Sequence, residues 1–292
     1  MTDDAEHLVS IIIPCFNHGR YVAEAVESAL HQTYPTREVV IADDGSTDDF
    51  TLSVIRDLVR RNAAVSAVFL EKNEGLAHAR NAAIRASAGK YILPLDADDR
   101  IAPSFLTKTV PILSDRPEVG LVYTDSQTFG YENAFYAAGP FSLAQGLAVQ
   151  TFGCTVLFRR RDFDRVGGYS GECFALEQWD FLLSLLELGL TAAYVPEPLF
   201  LYRRHGDGSM TDESQRRRPE TLRYLVRRHP RLFAEHWQDV LYYKDQQIAS
   251  LLQLNRQLSR WQQKAMRTPV YKAYAGAKWL FRKVCARGRS VG

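Results

Sequence analysis

Four apolar runs, VSIIIPCF from Val9, EVVIAD from Glu38, VSAVFLE from Val65 and KYILPLD from Lys90, alternate with segments of helical period, and that order leaves few folds open. The helical segments fall at about residues 21–32, 48–61 and 75–88. Parallel neighbours in a sheet need a crossover between them, usually a helix, so a strand-helix alternation of this length predicts an α/β fold with a parallel sheet covered on both faces. Ligands of such sheets bind beyond the carboxyl ends of the strands. The two densest groups of acids fall there: Asp43 and Asp44 close the second run, and Asp96, Asp98 and Asp99 close the fourth. Pro103 is placed to open the next helix, and GLVYTDS reads as a further strand ending near Ser126.

Residues 127–147 are aromatic, Gly-containing and aperiodic, and read as a loop long enough to cover something. TVLFRR, a helix over about residues 177–188 and AAYVPEPLFLYRRH then predict an α+β second half packed on the same sheet. The expected division is residues 1–210 as one domain, with halves 8–126 and 127–210, followed by a basic helical extension over 211–292.

Hydrophobic residues make up 46% of the 292, enough for a sizeable core. The formal net charge of +2 conceals a polarity: residues 216–292 hold 18 basic and 4 acidic residues, whereas the residues before them hold 18 and 30. An acidic body argues against nucleic acid as a partner, while the tail offers a hook for anionic lipid headgroups or folds back on the body. In the tail, Leu241, Ile248, Asn255 and Gln262 share one heptad position and Lys244, Leu251, Leu258 and Ala265 another, a seam that suits either a homodimer through residues 241–265 or docking on its own domain. Beyond Pro269, a last helix aligning Val270, Tyr274, Ala277, Phe281 and Val284 would suit a membrane surface. Cys15, Cys154, Cys173 and Cys285 have neither zinc nor disulfide-framework spacing. The acidic start and the interrupted apolar run after it match neither a signal peptide nor a membrane span. The expected location is therefore the cytoplasm, with peripheral contact at the inner membrane face through the tail.

Three carboxylates within four residues repel one another unless water or a cation compensates them, and hard oxygen donors favour Mn²⁺ or Mg²⁺. Such a cation takes few protein ligands and completes its shell with phosphate oxygens and water. Asp43 and Asp44 stand before Gly45, in a turn a ligand can approach, where a carboxylate can accept the ring N–H of a pyrimidine; Ser46 to Asp48 suit a helix cap. A nucleotide joined through phosphates to a metal is the ligand these two clusters predict together.

The stretches VSIIIPCFNHGRYVAEAVESALHQTYPTREVVIADDGSTDD and NEGLAHARNAAIRASAGKYILPLDADD resemble the nucleotide-sugar domain of family 2 inverting glycosyltransferases, over about residues 8–205. The resemblance implies a GT-A fold, a Rossmann-like and mostly parallel sheet with helices on both faces, here followed by a C-terminal helical extension. It implies a nucleoside diphosphate sugar donor, UDP or dTDP by the argument at Asp44, and a glycan or lipid-linked acceptor. Pro14, Phe16 and Asn17 would lie beside the nucleoside, Asp44 with Asp43 on the base, Arg80 and Asn81 near the donor, and Asp96 and Asp98 at the nucleotide. Asp98 and Asp99 would hold the metal, joined by His205 of the YRRH segment, while Arg203 and Arg204 neutralise the leaving diphosphate. Where the family has its general-base Asp, this chain has Gln178 in LEQWD. An amide cannot take a hydroxyl proton, so Glu177 is the candidate base and Asp180 its alternative or a structural partner.

A GT-A-like protein that binds a nucleotide sugar without turnover is the rival reading, with Gln178 its best support. A nucleotidyltransferase would want a Gly- and Lys-rich triphosphate loop, which PCFNHGR is not.

Overall fold

The computed structural model describes residues 7–150, 152–173, 176–206 and 210–267. Two compact units divide it, one up to Trp237 and one from Gln238 onward.

Four strands come from the predicted runs: β1 (Val9–Cys15), β2 (Arg37–Asp43), β3 (Val65–Phe69) and β4 (Tyr91–Pro94). They lie parallel in the order β3-β2-β1-β4, with β1 central and every residue of it buried. The connecting helices are α1 (Val22–Leu30), α2 (Asp49–Arg61) and α3 (Leu76–Ala86). Burial on both faces explains the nearly unbroken apolar runs of β1, β2 and β4, each fully buried Ile or Val contributing about 1.5–3 kcal/mol, whereas β3 at the sheet edge buries Val65 alone. The Asp48 carboxylate starts α2 by accepting the Thr51 N–H at 2.7 Å, a cap of about 1 kcal/mol.

A short β5 (Arg100–Ile101) and α4 (Phe105–Asp115) follow. The second half completes the same sheet with β6 (Val119–Gly130), β8 (Leu157–Arg159) and β9 (Thr191–Arg204), in the order β4-β8-β6-β9-β5. Here β8 runs antiparallel to β4 and β6, whereas β6 and β9 form a long parallel ribbon. The expected loop 127–147 is more ordered than its composition implied: β6 continues to Gly130, turns back as β7 (Phe135–Tyr136) and leads to α5 (Leu143–Ala148). The remaining helices of this half are α6 (Arg160–Val166) and α7 (Glu177–Glu187).

The helix α8 (Met210–Arg228) counts with the sheet unit, burying Thr221 and Leu225, with His229 buried just past its end. In α9 (Pro230–Met266) a non-helical residue, His236, interrupts the run just before the unit boundary. In the second unit Leu241, Ile248, Leu251 and Leu258 of the predicted seam are each more than half exposed. No helix of the described residues is long and apolar enough to cross a membrane. The proposed last helix over 270–284 lies outside the described residues.

Candidate active site

An open cleft of about 1940 Å³ runs along the carboxyl ends of β1, β2 and β4. Pro14, Phe16 and Asn17 enter it from the end of β1. Asn17, at φ +54°, is held there by its own side chain, whose Oδ1 accepts the N–H of Thr47 at 2.9 Å and of Asp48 at 3.3 Å. This clamps the β1 loop to the β2–α2 loop and leaves Phe16, 38% exposed, free to face a flat ligand.

Asp44 reaches the cleft, with Oδ1 accepting the Glu74 N–H and Oδ2 the Gly75 N–H, both at 2.9 Å. Each oxygen keeps a second lone pair. Gly45 makes this turn feasible: its φ is +67°, and a Cβ there would stand 2.5 Å from the Lys72 carbonyl carbon. Asp43 turns the other way. It is buried, accepts the Ser46 N–H at 3.2 Å and does not line the cleft, so it shapes the turn and does not face a base.

The carboxylates after β4 separate by duty. Asp96 lines the cleft, accepting from Arg80 Nη2 at 2.7 Å and from the Cys154 thiol at 3.0 Å. Burial opposes its charge, but Arg80 and the thiol outweigh that and hold its pKa below the usual carboxylate value. Asp98 also lines the cleft, its Oδ2 lying 2.7 Å from His205 Nε2. Asp99 is fully buried behind them; Oδ1 accepts the Arg203 N–H at 2.8 Å and Oδ2 has no partner. Loss of water, then the charges of Asp98 and Asp96, push its pKa well above normal.

Asp96, Asp99 and Cys154 can each bring a donor atom within 4.8 Å of the others. The unpartnered Asp99 oxygen and the mutual repulsion of these acids fit a cation, and Asp98 with His205 supplies a second carboxylate and an imidazole at the cleft side. The residues present therefore suit the expected divalent metal, with Cys154 as a neighbour the sequence did not single out.

Arg80 is fully buried and bridges two acids: Nη2 meets Asp96 and Nη1 meets Glu177, with the Tyr169 ring centroid 5.8 Å from its guanidinium. Burial works against its charge, and the two carboxylates more than compensate, holding its pKa well above the usual value. Its duty is thus to fix Glu177 against Asp96, and a direct contact with nucleotide would have to break that bridge. Asn81 ties α3 to the backbone of Tyr169 by two bonds, at 2.8 and 3.0 Å.

Glu177 lines the cleft at the start of α7, as does Gln178. Asp180 does not. Its Oδ1 lies 2.9 Å from Arg228 Nε and 3.1 Å from His229 Nε2, so it fastens α7 to the end of α8, away from the cleft. Arg203 likewise turns inward, donating to the Asp98 carbonyl at 2.8 Å and to Glu24 at 2.7 Å, with the Phe129 ring 4.4 Å away. Bound in this way it secures the acidic turn, whereas Arg204, its Nε 3.5 Å from Glu132, lines the cleft.

Two further cleft residues escaped sequence reading. Tyr136 comes from the β7 hairpin, and Arg218 comes from α8, hidden in a run of four residues, QRRR, that reads as a solvated face.

The sequence profile of Glycosyl transferase family 2 matches residues 10–177, more than half of the chain. Curated relatives include Chondroitin synthase of Escherichia coli, 31% identical over 62% of this chain, and Hyaluronan synthase of Pasteurella multocida, 32% identical over 62%. The chain spans only 27% and 19% of those proteins' lengths. A glycosyltransferase of Haemophilus influenzae is 30% identical over 66% of this chain and 67% of its own. Among solved structures, S. aureus TarS 1–349 in complex with UDP-GlcNAc superposes with a TM-score of 0.60 at 20% identity, covering 70% of this chain and 60% of that one. Mannosyltransferase PcManGT of Pyrobaculum calidifontis, in complex with GDP-Man and Mn²⁺, gives 0.60 at 21% identity over 91% and 82%. These likenesses fix the GT-A architecture, and with the profile match they make this chain a member of glycosyl transferase family 2 and a glycosyltransferase.

Proposed function

We infer that the protein is a metal-dependent inverting transferase that moves a sugar from a nucleoside diphosphate sugar to a hydroxyl of a glycan or lipid-linked acceptor. The observation that carries this reading is the Glu177–Arg80–Asp96 bridge, which ties a carboxylate at the acceptor side of the cleft to the acid turn at its donor side.

Pro14, Phe16 and Asn17 would face the nucleoside, and the second lone pairs of Asp44 suit the ring N–H of UDP or dTDP. Asp96, Asp98, Asp99 and His205 would hold Mn²⁺ or Mg²⁺, which when bound neutralises charge on the leaving diphosphate. Arg204 adds a cation at the cleft. Glu177 takes the proton of the acceptor hydroxyl as that oxygen attacks the anomeric carbon, while Arg80 keeps the carboxylate aimed. Displacement from the face opposite the diphosphate inverts the anomeric centre. The β7 hairpin, carrying Tyr136 into the cleft, is suited to cover the acceptor.

The relatives named for polysaccharide synthesis, and the Putative teichuronic acid biosynthesis glycosyltransferase TuaG of Bacillus subtilis, support a polymeric acceptor. The basic tail supports peripheral contact with an anionic membrane, and the exposed seam of residues 241–258 supports pairing with a second copy.

The test is release of nucleoside diphosphate from UDP-, dTDP- and GDP-sugars with Mn²⁺ and with chelator. Metal-dependent release from a pyrimidine donor, lost in Glu177→Gln, is the expected result. Thermal stabilisation by donor with no release under any condition would instead support the non-catalytic binding protein.

A further inference from the structure

We propose that the acceptor is anionic, bearing a carboxylate or phosphate near the hydroxyl that is glycosylated, and that Gln178 and Arg218 grip that anion. This rests on the transferase reading above and adds to it the class of the acceptor.

Gln178 occupies the place of the family's base, yet the structure gives it a defined polarity. The Tyr169 hydroxyl donates to Gln178 Oε1 at 3.0 Å. The amide is thereby oriented with Nε2 turned elsewhere. That nitrogen is buried and has no hydrogen-bond partner, on a residue only 2% exposed that contributes to the cleft wall. A buried amide donor left unpaired is destabilising, and a ligand acceptor atom would relieve it.

Arg218 reaches the same cleft from α8. Its guanidinium lies 5.3 Å over the ring of Trp179, the next residue of α7, and it lines the same cleft. Among the described residues it has neither a carboxylate within ion-pair reach nor a hydrogen bond, whereas Arg80, Arg203 and Arg228 are each spent on protein acids. Trp179 is itself fixed, its indole N–H donating to the Gly146 carbonyl at 2.7 Å, so the platform under Arg218 is rigid. Two residues with unpartnered donors therefore line the cleft that Glu177 also lines. A neutral sugar hydroxyl can accept from either group but leaves the guanidinium's charge uncompensated, whereas a carboxylate or phosphate accepts from both and balances that charge.

The test needs no turnover. The full chain is titrated by calorimetry, with and without UDP and Mn²⁺, using three probes: a tetrasaccharide alternating glucuronic acid and N-acetylglucosamine, the same tetrasaccharide with its carboxyls reduced to alcohols, and a glycerol phosphate trimer. A charged probe is expected to bind about tenfold or more tighter than the reduced one, the preference shrinking with added salt and vanishing in Arg218→Gln and Gln178→Glu. Carboxylate and phosphate probes identify which anion is preferred. Equal affinity for charged and reduced probes, binding of none of them, or an Arg218→Gln variant that keeps the preference would each overturn the proposal. Failure of UDP to bind would count against the donor reading alone, because the probes are also titrated on the unliganded chain.

Discussion

Glu177 and Asp180 lie one turn apart on α7, and both are buried acids paired with arginine, yet they do opposite things. Glu177 faces the cleft, and its partner Arg80 reaches on to the acid turn after β4. Asp180 faces α8, where Arg228 and His229 meet it, and His229 Nδ1 lies 3.0 Å from Glu187. An i,i+3 spacing puts side chains near one face of a helix, but the elements packed around α7 decide what each sees. The first pair is an instrument and the second a fastener, and substitutions should pull the two apart.

The largest expected effect is at Glu177. Glu177→Gln should lower kcat by about 10²–10⁴-fold, with donor binding retained, measured as nucleotide release at saturating donor and acceptor. A comparable kcat in the variant would move the base elsewhere. Asp98→Asn comes next: halving the carboxylates on the cleft side of the acid turn should weaken Mn²⁺ activation at least about tenfold, read as a rightward shift of the metal titration. On the fastener side, Asp180→Asn should cost about 2–4 kcal/mol of unfolding free energy by denaturant titration, because Arg228 and His229 lose the charge they share. Its kcat should stay within about threefold of wild type once folded. A variant that loses turnover but not stability would erase the distinction.

The smallest effect is on pH. Burial disfavours a charged His229, but its bonds to Asp180 and Glu187 outweigh that and raise its pKa in the folded state. A raised pKa means the protonated form is bound more tightly when folded, so this contribution is complete below the unfolded value of about 6.5 and fades as pH climbs through the higher folded value. Melting temperature should therefore decline across that window in wild type and be flatter in His229→Gln. A steeper decline in the variant would assign the proton to another group.

The donor half was legible because its signals are local. Uninterrupted apolar runs, helical periods and an Asp48 cap each declare an element within a few residues, and the parallel order then carries Asp44, Asp96 and Asp98 to one edge without further information. What could not be read depends on contacts between distant segments. Arg203 and Arg204 are adjacent in the chain, yet one turns in to Glu24 and Asp98 while the other lines the cleft, an outcome set by pairing of β9 with its neighbours. Asp43 and Asp44 divide in the same way on either side of a strand end. Arg218 was harder still: nothing in QRRR distinguishes the residue that stacks on Trp179 from those beside it.

The β6–β9 ribbon has its own implication. Its register shifts between Thr124 and Ser126, then runs unbroken until Gly130 pairs with Arg204, and the Tyr131 N–H donates to the Arg204 carbonyl at 3.0 Å. His205 follows directly on one strand and the Tyr136 hairpin on the other. The residue that touches Asp98 and the hairpin that brings Tyr136 to the cleft are thus mounted on one ribbon, so a displacement of either is expected to carry the other along.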